Sequence, residues 1–203
     1  SREVWLSDTG ILAGATQDKV LITCATLSIA WTDQLVKTVA DRGFKFLDMP
    51  MTGGRIGAET GQLTLLGGGD QSVLDSISKD LEAIATKVHL FGPAGSGMRY
   101  KLILNMLQGI HILALGETLK MAKQSGLDVK KVGDTTTNLA WRDFQKEPEP
   151  INFAIRWLLK DLSYAKRMTD DTETPLLDET LSRYQKAVDS GFGDQDWARI
   201  NNI

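Results

Sequence analysis

Apolar residues fall into two different rhythms along the chain. In the first half they come in short runs set between amphipathic stretches. Val20-Leu21-Ile22-Thr23-Cys24 is a nearly continuous apolar run, as expected of a parallel strand covered on both faces. Residues 30–42 follow with Leu35, Val36 and Val39 at helical spacing and Gly43 just past the end. Phe44 to Leu47 and Leu63 to Leu66 read as further strands. Asp70 is placed to cap a helix reaching about Ala85, and Val88 to Phe91 closes the half as a last strand.

The second half is helical. Ser96 to Ser125 contains no proline, and Leu102, Ile103, Met106, Leu107, Ile110, Leu113, Ala114 and Leu115 spread around most of a helix circumference. Such a helix is roughly 45 Å long and should be wrapped by others. Gly126 suits its C-cap, and helices are expected at about 128–138, 152–170 and 174–190, with Glu147-Pro148-Glu149-Pro150 as a polar break. The expected fold is therefore α/β followed by all-α. A partial Rossmann-type doubly wound sheet occupies 1–94, and a helical substrate and dimerisation domain built on one long central helix occupies 95–203.

Composition narrows the function classes. The 203 residues are 42% hydrophobic and 24% charged, the balance of an ordinary globular chain. A net charge of -3 argues against a nucleic-acid footprint. No uninterrupted apolar run reaches bilayer length, and the first residues lack a signal-peptide shape. One cysteine, Cys24, reads as a buried thiol, and with only His89 and His111 beside it no metal site is expected. A cytoplasmic, metal-free protein follows as the expectation.

Three segments carry possible chemistry. Asp48-Met49-Pro50-Met51-Thr52-Gly53-Gly54 follows a strand, and its adjacent glycines can bare N–H groups to an anionic oxygen, although an ordinary turn has the same composition. Gly95-x-Gly97-x-x-x-Lys101-x-x-x-Asn105 puts Lys101 and Asn105 on one face of the long helix. Such a lysine either snorkels to solvent or is held in a pocket. Phe153-x-x-x-Trp157-x-x-Lys160-Asp161-Leu162 is the third, and a Lys-Asp pair of this kind is commonly a solvated surface. The five tryptophans, Trp5, Trp31, Trp141, Trp157 and Trp197, read as core or interface residues. Gly92-Pro93-Ala94-Gly95-Ser96-Gly97 mimics a dinucleotide loop, but the third glycine position is Tyr100, whose bulk should obstruct close helix–strand packing.

Taken in order, these motifs resemble the β-hydroxyacid dehydrogenase family, whose members carry Asp-Ala-Pro-Val-Ser-Gly-Gly, Gly-x-Gly-x-x-x-Lys-x-x-x-Asn and Lys-Asp-Leu. Gly57-Ala58-Glu59-Thr60-Gly61-Gln62-Leu63-Thr64 and Gly68-Gly69-Asp70 add to the likeness. The resemblance implies a hydride transfer between NAD or NADP and a small 3-hydroxy acid or semialdehyde, with Lys101 as acid–base group. It implies that Thr52, Gly53, Gly54, Asn105, Phe153 and Asp161 bind substrate, and that Thr26 and Lys160 face the cofactor. It also implies a homo-oligomer formed through the helical domain, and a glycine-rich cofactor loop lying ahead of Ser1, so that the chain is N-terminally truncated. The alternative from another class is a catalytically silent helical oligomerisation module that keeps relic site residues.

Overall fold

The computed structural model describes residues 1–135, 151–168 and 173–203. They form two compact units, Ser1–Lys101 and Leu102–Ile203.

In the first unit β1 (Val20–Thr23) runs parallel to β2 (Lys45–Asp48), joined through helix α3 (Ile29–Asp41). A second sheet has the order β3-β4-β5: β3 (Met51–Thr52) is antiparallel to β4 (Leu63–Gly67), and β4 is parallel to β5 (Ala85–Leu90). A bridge between Asp48 and Gly68 joins the ends of β2 and β4.

Alternation along the strands sends neighbours to opposite faces. Phe46 and Leu21 pack with Trp5, Leu12, Leu35 and Val39, under α3 and the short helices α1 (Arg2–Leu6) and α2 (Ile11–Gly14). Leu47 instead joins Leu63, Leu65 and the residues Leu74 and Leu81 of α5 (Gln71–Leu81). Helices on both faces are the doubly wound arrangement the strand–helix alternation predicts.

Three details differ from the sequence reading. β5 starts at Ala85, earlier than expected, because Thr86 and Lys87 are polar and both exposed and leave no apolar run. β3 is two residues long and gives no readable period. Cys24 is half-buried rather than buried, and burial still pushes its thiol above the usual value.

The second unit is helical. The long helix α6 (Ser96–Gln124) begins in the first unit and continues here; α7 (Val129–Thr135) and the helices Ile155–Lys166 and Pro175–Ala187 follow. Leu158 and Leu162 pack against Gly109 of α6. The final turn, Trp197–Asn202, folds back so that Asn201 Nδ2 donates to the carbonyl of Ile112 at 2.7 Å.

The wrapping is one-sided among the described residues. Leu102, Ile112, Leu115 and Leu119 are buried, whereas Ile103, Leu107 and Met121 are exposed. Although no uninterrupted apolar run is long enough, an 18-residue window of α6 has mean hydropathy 1.4, so by length and composition alone α6 could cross a membrane. The core helix of a soluble protein meets the same test, and 44% of the window is buried within the fold. Trp141, the Glu147–Pro150 break and the expected helical residues 136–138 and 169–170 lie outside the described residues.

Candidate active site

After β2 the chain makes the glycine turn. Thr52 pairs across β3–β4 with Thr64, and Gly53 (φ 125°) and Gly54 (φ 61°) follow in backbone conformations that side-chain-bearing residues rarely adopt. Both glycines are exposed, so an anion can approach their backbone. Gly54 also opens α4 (Gly54–Glu59), in which Gly57 N–H donates to Gly53 at 3.0 Å.

Lys101 lies in the second turn of α6, and the start of that helix is tied down by Asp48, the first residue of the glycine-turn motif, to which the sequence assigns no role of its own. The Asp48 carboxylate accepts from Gly95 N–H at 2.5 Å and from Met98 N–H at 2.7 Å. These are helix-start donors that would otherwise be orphaned. Burial pushes the Asp48 carboxyl up to about 6, against the opposing pull of the two N–H groups and of the Arg99 charge. Lys101 itself is 8% exposed, so it does not snorkel.

The sequence shows Asp48 only as the first residue of the glycine-turn motif; its hold on the helix start carries no signal there, because its partners lie 47 and 50 residues away. The mimic of a dinucleotide loop is also explained. Tyr100 does not block helix–strand packing; it stacks on Phe91 at 3.8 Å and 12°. Close packing is made by Gly97, where a Cβ would lie 2.1 Å from the Leu66 carbonyl oxygen. With the Gly95 and Met98 donors already spent on Asp48, this helix start is not built for a pyrophosphate.

Thr26 is half-buried in the loop after β1, and the next N–H, that of Leu27, points at the Met98 sulfur at 3.1 Å.

In the second unit, Asn105 and Asp161 are buried at 2% and 1% exposure. Asn105 Nδ2 donates to Asp161 Oδ2 at 2.7 Å, and Lys160 Nζ sits 3.2 Å from Asp161 Oδ1. The Lys160-Asp161 pair is therefore not a solvated surface pair: the carboxylate is inside and the half-exposed ammonium covers it.

Phe153 belongs to an aromatic cluster, edge-on to Trp157 at 5.9 Å and to Trp197 at 5.7 Å. Its backbone is fixed by Asp196, whose Oδ2 accepts from Asn152 and Phe153 N–H at 2.9 and 3.2 Å. Trp5 and Trp197 are core residues as expected, whereas Trp157 is 46% exposed. Among the described residues no group of His, Cys, Asp and Glu side chains could hold a metal ion.

Residues 95–203 match the family model described as the NAD-binding domain of NADP-dependent 3-hydroxyisobutyrate dehydrogenase. The chain belongs to the β-hydroxyacid dehydrogenase family. Residues 1–92 match the model for the NAD binding domain of 6-phosphogluconate dehydrogenase. An uncharacterized oxidoreductase of Synechocystis is 32% identical over 184 residues, covering 86% of this chain and 63% of the relative. The mitochondrial 3-hydroxyisobutyrate dehydrogenase of Drosophila melanogaster is 26% identical, covering 94% of this chain and 64% of its own length. The chain thus spans under two thirds of these relatives. Among solved structures, Mycobacterium tuberculosis 3-hydroxyisobutyrate dehydrogenase with L-serine superposes with a TM-score of 0.83 at 26% identity, over 96% of this chain and 73% of that one.

Proposed function

We propose that this chain supplies the acid–base group and the substrate cradle of an NAD- or NADP-dependent dehydrogenase acting on a small 3-hydroxy acid or its semialdehyde. The carrying observation is Lys101, a lysine 8% exposed on a helix whose start is held by two hydrogen bonds to one carboxylate. A buried lysine on an anchored helix turn is suited to giving and taking a proton at one defined place.

The roles follow from the residues. Thr52, Gly53 and Gly54 hold the substrate carboxylate through a hydroxyl and bare N–H groups. Lys101 takes the hydroxyl proton during oxidation and returns it during reduction. Asn105, one helical turn beyond Lys101, keeps its carbonyl oxygen and one N–H for substrate, since its other N–H serves Asp161. Phe153 and Asp161 shape the substrate side, while Thr26 and Lys160 serve the nicotinamide side.

The nicotinamide cofactor, when bound, supplies the hydride chemistry. The residues of this chain suit only its nicotinamide end. Nothing in the 203 residues reads Gly-x-Gly-x-x-Gly, and the start of α6 is engaged by Asp48. The same reading includes a cytoplasmic homodimer associating through the helical unit.

The test is Lys101→Ala in a protein of the relatives' full length. Turnover should fall at least about a hundredfold. A variant keeping more than about a tenth of normal turnover removes Lys101 from the acid–base role.

A further inference from the structure

Three segments of the first unit carry candidate residues, the loop of Thr26, the turn of Thr52 to Gly54 and the start of α6 with Lys101, and all three are tied to one buried pair. Asp48, fully buried, ends β2 and leads into the loop of Thr52. Its backbone exchanges hydrogen bonds with Gly68 at 3.1 and 2.8 Å, and Met49 N–H donates to the Thr23 carbonyl at 2.8 Å. Its carboxylate takes both Gly95 N–H and Met98 N–H. Met98, also fully buried, turns its sulfur to Leu27 N–H, next to Thr26.

We infer that Asp48 and Met98 are positioning residues for the proposed reaction: Asp48 fixes the turn that carries Lys101, and Met98 holds the Thr26 loop to that same turn.

Plain capping does not account for the choice of residue. A surface Ser or Asn satisfies a helix-start donor at little cost, whereas a carboxylate buried completely is disfavoured by its own desolvation. What a carboxylate adds is two acceptors on one rigid group, so that N–H groups three residues apart are held together. Lys101 follows Met98 by three residues and so lies one turn above it on the same side of the helix. A slip at Met98 is passed on to the amine, and displacement by about 1 Å at a reacting group can cost about a hundredfold in rate. A sulfur is a weak acceptor, which suits a contact that guides a loop without locking it.

This inference rests on the proposed role of Lys101, so its test reads position and not turnover. The chain and its Asp48→Asn variant are labelled with an amine-reactive anhydride, and modification of Lys101 is compared with that of exposed Lys37. Amide hydrogen exchange is followed at Leu27, Gly95 and Met98, with Val39 as internal reference. In Asp48→Asn one acceptor is replaced by a donor. Gly95 and Met98 should exchange at least about tenfold faster, and the Lys101-to-Lys37 labelling ratio should rise at least about fivefold, while Val39 is unchanged. Faster exchange with a labelling ratio within about twofold of the parent would make Asp48 a cap and nothing more, and would overturn the inference.

Met98→Leu keeps the volume and removes the sulfur acceptor. Leu27 exchange should rise at least about fivefold, and an unchanged Leu27 overturns the role of Met98. If Asp48→Asn does not fold, the parent chain answers by titration. The Gly95 and Met98 amide resonances should move together between pH 4 and 8, with the Lys101 ratio changing over the same interval. The charge facing Asp48 is Arg99, itself paired with Asp33 at 2.9 Å. Flat resonances overturn the inference. A full-length protein without dehydrogenase activity would remove the functional reading and leave these comparisons standing.

Discussion

Asn105 and Asp161, 56 residues apart in sequence, share a 2.7 Å hydrogen bond in the interior of the helical unit. Both side chains are almost wholly inaccessible, so neither can exchange its partner for water at low cost. Asn105→Ala should therefore lower stability by about 1–3 kcal/mol, the penalty for orphaning a buried acceptor. A double-mutant cycle with Asp161→Ala, which removes the acceptor, read from urea midpoints, should give a coupling of about 1 kcal/mol or more. A coupling near zero would mean that the bond is not formed in solution.

Asp48 gives the first unit an unusual pH response. Its carboxyl stands at about 6 in the folded chain against an ordinary value of 3.8. Below about pH 4 both states hold the proton and the group is neutral to stability. As pH rises toward 6 the unfolded chain releases its proton first, so folding is progressively disfavoured, by about 3 kcal/mol at pH 7. Other carboxylates contribute slopes of their own, so the quantity to measure is the difference between parent and Asp48→Asn urea melts from pH 4 to 7. The parent's advantage over the variant should shrink with rising pH, and a constant gap would contradict the raised value.

Gly97 and Gly109 both lie on α6 and should respond oppositely to alanine. At Gly97 the added Cβ meets the Leu66 carbonyl oxygen at 2.1 Å and the Asp48 carbonyl oxygen at 2.8 Å, backbone atoms that cannot swing aside. Gly97→Ala should cost about 3 kcal/mol or more. At Gly109 the nearest atoms are methyl groups of Leu158 and Leu162 at 3.4 Å, an ordinary contact. Gly109→Ala should change stability by less than about 1 kcal/mol, with helix propensity working in its favour. Thermal melts of the two variants decide this directly.

Much of the scaffold was legible because its periods are local. The runs at Val20–Thr23 and Leu63–Gly67 and the proline-free stretch of α6 declare themselves within a few residues. The motif residues Thr52, Lys101, Asn105 and Asp161 were likewise visible as a pattern. The partners of those residues were not. That Asp48 holds Gly95 and Met98, or that Asn105 spends an N–H on Asp161, depends on contacts spanning about 50 residues, for which sequence spacing carries no signal. The role of Met98 has no local signal either, because its sulfur acts through a backbone N–H 71 residues away.

The exposed side of α6 predicts association. Ile103, Leu107 and Met121 are 50%, 44% and 67% exposed, and at 100° per residue they fall on one line with Ile110 and Ala114. The strip is about 27 Å long. A two-fold contact is the commonest way to cover such a surface. Light scattering should give a mass of twice the chain, and Leu107→Glu should shift it to one copy while leaving the helical circular dichroism unchanged. A parent chain that stays monomeric at high micromolar concentration would show that the strip is covered within the chain.

The hydrogen bond from Asn201 to the Ile112 carbonyl has a kinetic consequence. It joins residues 89 positions apart, and the bridge between Ala154 and Asp196 fastens the same end of the chain to the middle helices. Helical units normally gather speed from neighbouring contacts, and entropy penalises loops this long before any contact rewards them. The second unit should thus acquire its helices quickly and close slowly, at the tempo of a sheet protein. During synthesis α6 would wait, formed but unfastened, until the turn Trp197–Asn202 emerged to pin it.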